Sequence, residues 1–128
     1  MKLEHALGLA PAAAQPQPNV GGKRWENELQ SWVQFVVNGD ALSGHYHSAV
    51  GLNGGPVDSD DLSGYMNGEL IAFVVRWPDA AITAWVGRYE LKSGVETIET
   101  LWQMTLMNQS ANGAYWDSIM AGSDVFTR

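Results

Sequence analysis

The sequence predicts an all-β fold, an eight-stranded antiparallel up-and-down β-barrel. Three observations carry this expectation. Turn signals recur at short intervals, at Asn38-Gly39-Asp40, Asn53-Gly54-Gly55-Pro56, Asn67-Gly68, Trp77-Pro78-Asp79, Ser93-Gly94 and Asn112-Gly113. The segments between them are rich in Val, Ile, Thr, Tyr, Phe and Trp, and several alternate with period two. No segment sustains an apolar stripe at helical spacing, so little helix is expected. The strands fall at about residues 23–30, 31–38, 41–50, 60–67, 69–77, 80–91, 95–107 and 114–127. Joined by tight hairpins, they suit a barrel, which leaves no sheet edge exposed. The pattern alone also fits a sandwich.

A chain of 128 residues suits one domain with one core. Residues 1–21 read as a Pro/Ala-rich tail and residues 22–128 as the barrel. In the tail, an Ala/Leu/Gly stretch followed by Ala12-Ala13-Ala14 resembles the end of a secretory signal, although Glu4 and His5 interrupt it. On that reading the protein is secreted or periplasmic. Seven basic residues against fourteen acidic ones give a net charge of −7. That balance supplies no basic face for nucleic acid or an anionic membrane. The absence of cysteine excludes disulfides, zinc–thiolate sites and thiol catalysis.

Successive side chains of a strand point to opposite faces, so charged positions set the register. In Trp25-Glu26-Asn27-Glu28-Leu29-Gln30-Ser31, the charged and amidic set faces out, and Asn27 and Ser31 face in with Trp25. Placing His45 and His47 in solvent puts Tyr46 and Ser48 inside. With Arg76 outward, Phe73, Val75 and Trp77 face in; with Arg88 outward, Thr83 and Trp85 do. Glu99 and Gln103 outward leave Trp102 and Met104 inward, and Asp124 shares a face with Phe126. The interior thus collects Asn27, Ser31, Tyr46, Ser48, Thr83 and Asp124 beside aromatic rings. In a dry core each unsatisfied polar group would cost about 1–3 kcal/mol. The set makes sense around a small polar ligand, and an eight-stranded barrel holds one. Mutual satisfaction around trapped water is the plainer alternative.

These residues also carry a resemblance. The blocks 25–31, Gly44–Gly51, Leu62–Tyr65, Thr83–Tyr89, Thr100–Trp102 and Gly122–Thr127 follow one another in order and at matching spacing. Together they resemble the avidin/streptavidin family of biotin-binding proteins, from about Gly22 to Arg128. The resemblance implies high-affinity, non-covalent capture of biotin, with no cofactor and no catalysis. It implies that Asn27, Ser31 and Tyr46 donate to the ureido oxygen, while Asp124 and Ser48 accept from the ureido N–H groups. Thr83 falls where the family contacts the thioether sulfur. Phe73, Trp85 and Trp102 are implied as aromatic walls, with Met104 beside them and Trp116 as a fourth ring. Val50, Gly51 and Leu52 begin the loop expected to close over the valerate tail.

The departures concern the tail. Leu52 and Ala81 stand where members of the family carry side chains that bind the valerate carboxylate, so the loop backbone is expected to take over. Trp116 is implied to reach a neighbouring subunit's pocket, which favours a homo-oligomer, a tetramer ahead of a dimer. His45 and His47 at i, i+2 are a weak metal pair without a third ligand. No inward His, Lys or Cys is at hand for hydrolysis, so an enzyme is not expected. The competing reading is a lipocalin-like carrier of another small polar ligand.

Overall fold

In a computed structural model the chain is a closed barrel of eight strands in sequence order, each antiparallel to the next. The structure describes residues 1–128 apart from 12, 14, 52–53 and 108–118. The strands are β1 (Trp25–Glu26), β2 (Trp32–Asn38), β3 (Ala41–Ser48), β4 (Val57–Asn67), β5 (Leu70–Arg76), β6 (Ala81–Lys92), β7 (Val95–Leu106) and β8 (Ile119–Thr127). One short helix, α1 (Leu3–Leu7), precedes them and buries none of its residues. Closure runs through the pair Glu26–Thr127, which joins β1 to β8.

The two ends of the barrel are built differently. At one end, two-residue turns at 39–40, 68–69 and 93–94 join β2 to β3, β4 to β5 and β6 to β7. Ser93 and Gly94 both take positive φ, at 51° and 80°, the geometry of a turn whose twist matches that of its strands. At the other end the connections are longer: 27–31, 49–56, 77–80 and 107–118. The interior alternates as expected along most strands. Residues 71, 73 and 75 of β5 are buried while 70, 72, 74 and 76 are exposed.

Two strands depart from the expected pattern. The first strand was expected over 23–30 but ends at Glu26, because the Asn27 side chain captures the chain in a turn. Asn27 Oδ1 accepts the N–H groups of Leu29 and Ser31, both at 3.0 Å, and Gln30 follows at φ 68°. Asn27 and Ser31 still face the interior, from a turn rather than a strand. The fourth strand begins at Val57 rather than residue 60. Its register against β3 passes from Gly44–Leu62 to Tyr46–Ser59, so one extra residue bulges at Asp60-Asp61. Partners across the sheet hold the added residues in the strand: Asp58 meets His45 and His47, and Ser59 Oγ donates to the Arg76 carbonyl at 2.6 Å. Of the eighth expected strand, 114–127, the described part is Ile119–Thr127.

Candidate ligand site at the open end of the barrel

The site is assembled from inward positions near the long-loop end. Asp124, on β8 two residues before fully buried Phe126, is half-buried and accepts two hydrogen bonds. Trp85 Nε1 donates to its Oδ2 at 3.0 Å, and Asn27 Nδ2 donates to its Oδ1 at 3.4 Å. Burial raises the Asp124 carboxyl above its ordinary range, and those two donors pull the other way. Thr100 Oγ1 donates to the Asp124 backbone carbonyl at 3.0 Å, fixing the strand beneath it.

Each polar side chain has a defined hydrogen-bond state. Because Asn27 Oδ1 is taken by two backbone N–H groups, its amide nitrogen must face inward as a donor. Ser31 Oγ accepts the Ala49 N–H at 3.0 Å, which leaves its own proton to donate. Tyr46 is 3 % exposed, and burial followed by the nearby Asp124 charge raises its phenol, so it stays protonated and a donor. Ser48 is the opposite case. Its Oγ donates to the Val50 carbonyl at 2.8 Å, leaving its lone pairs to accept. Thr83 Oγ1 accepts from Trp77 Nε1 at 3.0 Å and keeps its proton. Three donors, an acceptor hydroxyl and a carboxylate can satisfy a planar group carrying one carbonyl and two N–H functions.

Aromatic rings surround this polar set. Tyr46 stacks on Trp85 at 4.8 Å and takes the edges of Trp77 at 5.5 Å and Phe126 at 6.2 Å. Trp102 pairs with Trp85 across β6 and β7 and lies over Gly122. A Cβ at residue 122 would come within 2.6 Å of the Trp102 ring, so only glycine leaves the indole its place. Phe73 sits one layer back. It stacks behind Trp85 at 4.8 Å, 1 % exposed, and holds that ring instead of lining open space.

Towards the loops, the set opens into a cavity of about 290 Å³. Ser48, Val50, Gly51, Val57, Trp77, Asp79, Ala81, Met104, Leu106 and Met120 line it. The 49–56 loop is pinned here by Gly51 N–H donating to the Gly55 carbonyl at 2.5 Å. Leu52 and Trp116 lie outside the described residues. Sequence reasoning set Trp77 inward without giving it a role, yet Trp77 lines the cavity and bonds Thr83. Val57, Asp79 and Met120 were missed as well. Asp79 and Val57 lie in or beside loops, where alternation carries no signal, whereas Met120 lies within β8 opposite Met104, on the alternating face of Asp124.

On the outer face, Asp58 and Asp60 bracket His45, at 2.7 Å from Nε2 and 2.5 Å from Nδ1, and Asp58 also meets His47 Nδ1 at 2.9 Å. Among the described residues no group of three or more such side chains is arranged to hold a metal ion.

A closed β-barrel with a polar floor, aromatic walls and a cavity at one end is a small-ligand-binding barrel. The chain belongs to the avidin family, whose model matches residues 15–128. Three solved structures are similar to it. Xenavidin is 25 % identical with a TM-score of 0.72, covering 88 % of this chain and 98 % of its own. A biotin-binding protein from chicken is 25 % identical with a TM-score of 0.71, over 88 % and 97 %. Short afifavidin in complex with biotin is 30 % identical with a TM-score of 0.65, over 87 % and 90 %. No curated protein sequence matches the chain.

Proposed function

We propose that the protein binds biotin tightly and non-covalently, and performs no reaction on it. One observation supports this most: the complementary hydrogen-bond states of the interior groups in a barrel of this family. Asn27, Ser31 and Tyr46 offer protons to the ureido oxygen, in a water-poor site where such bonds are strong. Asp124 and Ser48 take the two ureido N–H protons. Thr83 offers its proton to the thioether sulfur, and Trp77, Trp85 and Trp102 enclose the bicyclic ring. In this reading Asn27 turns from its long contact with Asp124 to the ligand. The cavity lined by Met104, Val50 and Gly51 takes the valerate tail, with Leu52 continuing that loop. The biological use is sequestration or storage of the vitamin after export. Retention on immobilised biotin, competed off by free biotin, is the expected result, and absence of retention overturns the proposal.

We further propose that the protein works as a homo-oligomer, a tetramer ahead of a dimer. Val74, Val86 and Leu101 are 39 %, 62 % and 71 % exposed on neighbouring strands, an apolar strip that a partner would cover. Trp116 is assigned to the neighbouring subunit's site. Trp116→Lys is then expected to lower the sedimenting mass and the biotin affinity together. A biotin-tight monomer contradicts this assembly.

A further inference from the structure

The cavity at the open end has a character of its own. Below it lie the donors and acceptors of the polar floor; around it the walls are largely apolar, Leu106 and Met120 among them. Only two of the described lining side chains are polar, Ser48 and Asp79. The Ser48 proton is already given to the Val50 carbonyl. The other is a carboxylate, exposed on the 77–80 loop beside Trp77. The nearest cation in sequence, Arg76, faces the outside of the barrel, where its Nε donates to Asp61 at 2.6 Å. A ligand seated head-down on the polar floor therefore brings its tail to a wall that carries a negative charge and no cation among the described lining residues.

We infer that the site selects biotin whose valerate is an uncharged amide, as in a conjugate to an amine, over the free acid, with Asp79 as the selecting residue. This rests on the biotin reading above. An ionised tail in the cavity that Asp79 lines is repelled by that carboxylate, whereas an amide tail presents an N–H that it accepts. Because Asp79 is exposed, the repulsion lies near the bulk-water limit, where two like charges a few ångströms apart change an equilibrium by about five- to tenfold. Ala81, on the adjacent strand end, offers no hydroxyl to offset this.

The test compares free biotin with biotinamide, by competition, on the wild-type protein and on Asp79→Asn. Asp79 is exposed on a loop, so the substitution leaves the barrel's packing alone. The wild type is expected to bind biotinamide about five- to tenfold more tightly than biotin at low salt. The gap narrows as salt rises, and in Asp79→Asn it falls to about twofold or less. Equal affinities in the wild type, a preference for the free acid, or an unchanged gap in Asp79→Asn overturn the inference and leave biotin binding standing. Binding of neither compound overturns both.

Discussion

The same strands form two unlike regions as they run from one end of the barrel to the other. At the short-turn end the interior is dry: Val20, Trp25 and Phe126 are completely buried, and Ile98 and Phe35 nearly so. Its one large polar feature is a seal. The Arg128 guanidinium lies 4.3 Å over the Trp25 ring and donates to the carbonyls of Asn19, Val20, Gly21 and Lys23. It also pairs with Glu96 at 3.1 Å, holding that carboxyl below its ordinary range. At the long-loop end the interior is polar and opens to a cavity. One end fills its volume with side chains; the other keeps volume for a ligand. The comparison separates what holds the barrel together from what the barrel holds, and substitutions at each end should show different readouts.

The largest expected effect is at the sealed end. Trp25→Ala removes a fully buried indole, its 3.0 Å bond to the Val20 carbonyl and the platform under Arg128. It is expected to cost about 3–5 kcal/mol of stability, read by denaturant unfolding. A loss below about 1 kcal/mol would mean that this end is not the stability core. At the open end, Asn27→Ala is expected to weaken biotin binding by about 1.5–3 kcal/mol in titration calorimetry. Because Asn27 Oδ1 also ties down Leu29 and Ser31, a smaller loss of stability accompanies it. Gly122→Ala pushes on the Trp102 ring and is expected to cost about fivefold in affinity. A larger loss in Tm than in affinity would place Trp102 with the packing instead.

The smallest effect lies on the outer wall and depends on pH. Hydrogen bonds donated to Asp60, then to Asp58, raise the His45 imidazole, and those donated by His45, then by His47, lower the Asp58 carboxyl. With both ring nitrogens on carboxylates, His45 is held as the imidazolium. A raised imidazole adds stability that is complete below its unfolded value near 6.5 and fades as pH climbs through the higher folded value. The lowered carboxyl adds stability above its ordinary value of 3.8 and loses it on acidification. Tm is therefore expected to fall by about 1–4 °C from pH 6 to pH 9 through this cluster. His45→Gln should remove that part of the fall, and an identical pH profile in the variant would deny the cluster any role.

Most of the barrel was legible in the sequence because hairpin chemistry and period-two burial are local signals. Ser93-Gly94 fixes a turn wherever it stands, and Arg76 outward settles Phe73, Val75 and Trp77 at once. What escaped was decided by partners distant in sequence. Asp58 and Ser59 extend β4 ahead of its expected start because His45, His47 and the Arg76 carbonyl lie opposite them. Asn27 ends β1 early by spending its own oxygen on the backbone, which alternation cannot register. Much of the polar set was legible as inward positions, but the hydrogen-bond state of each group was not. Ser31 and Ser48 are alike in sequence and opposite in role, since one accepts from Ala49 and the other donates to Val50.

Stability and binding reside at opposite ends of the barrel, and Asp124 tests that division most directly. The measurement is the thermal midpoint of the wild type and of Asp124→Ala, each with and without saturating biotin. A ligand that binds only the folded state stabilises it by RT ln(1 + [L]/Kd), so a tight binder shifts the midpoint far upward. The unliganded variant is expected to unfold within about 5 °C of the wild type, because Asp124 is only half-buried and its two side-chain bonds are to Trp85 and Asn27. Biotin should raise the wild-type midpoint strongly and the variant's far less. Equal biotin shifts in the two proteins, or no shift in the wild type, would contradict the account.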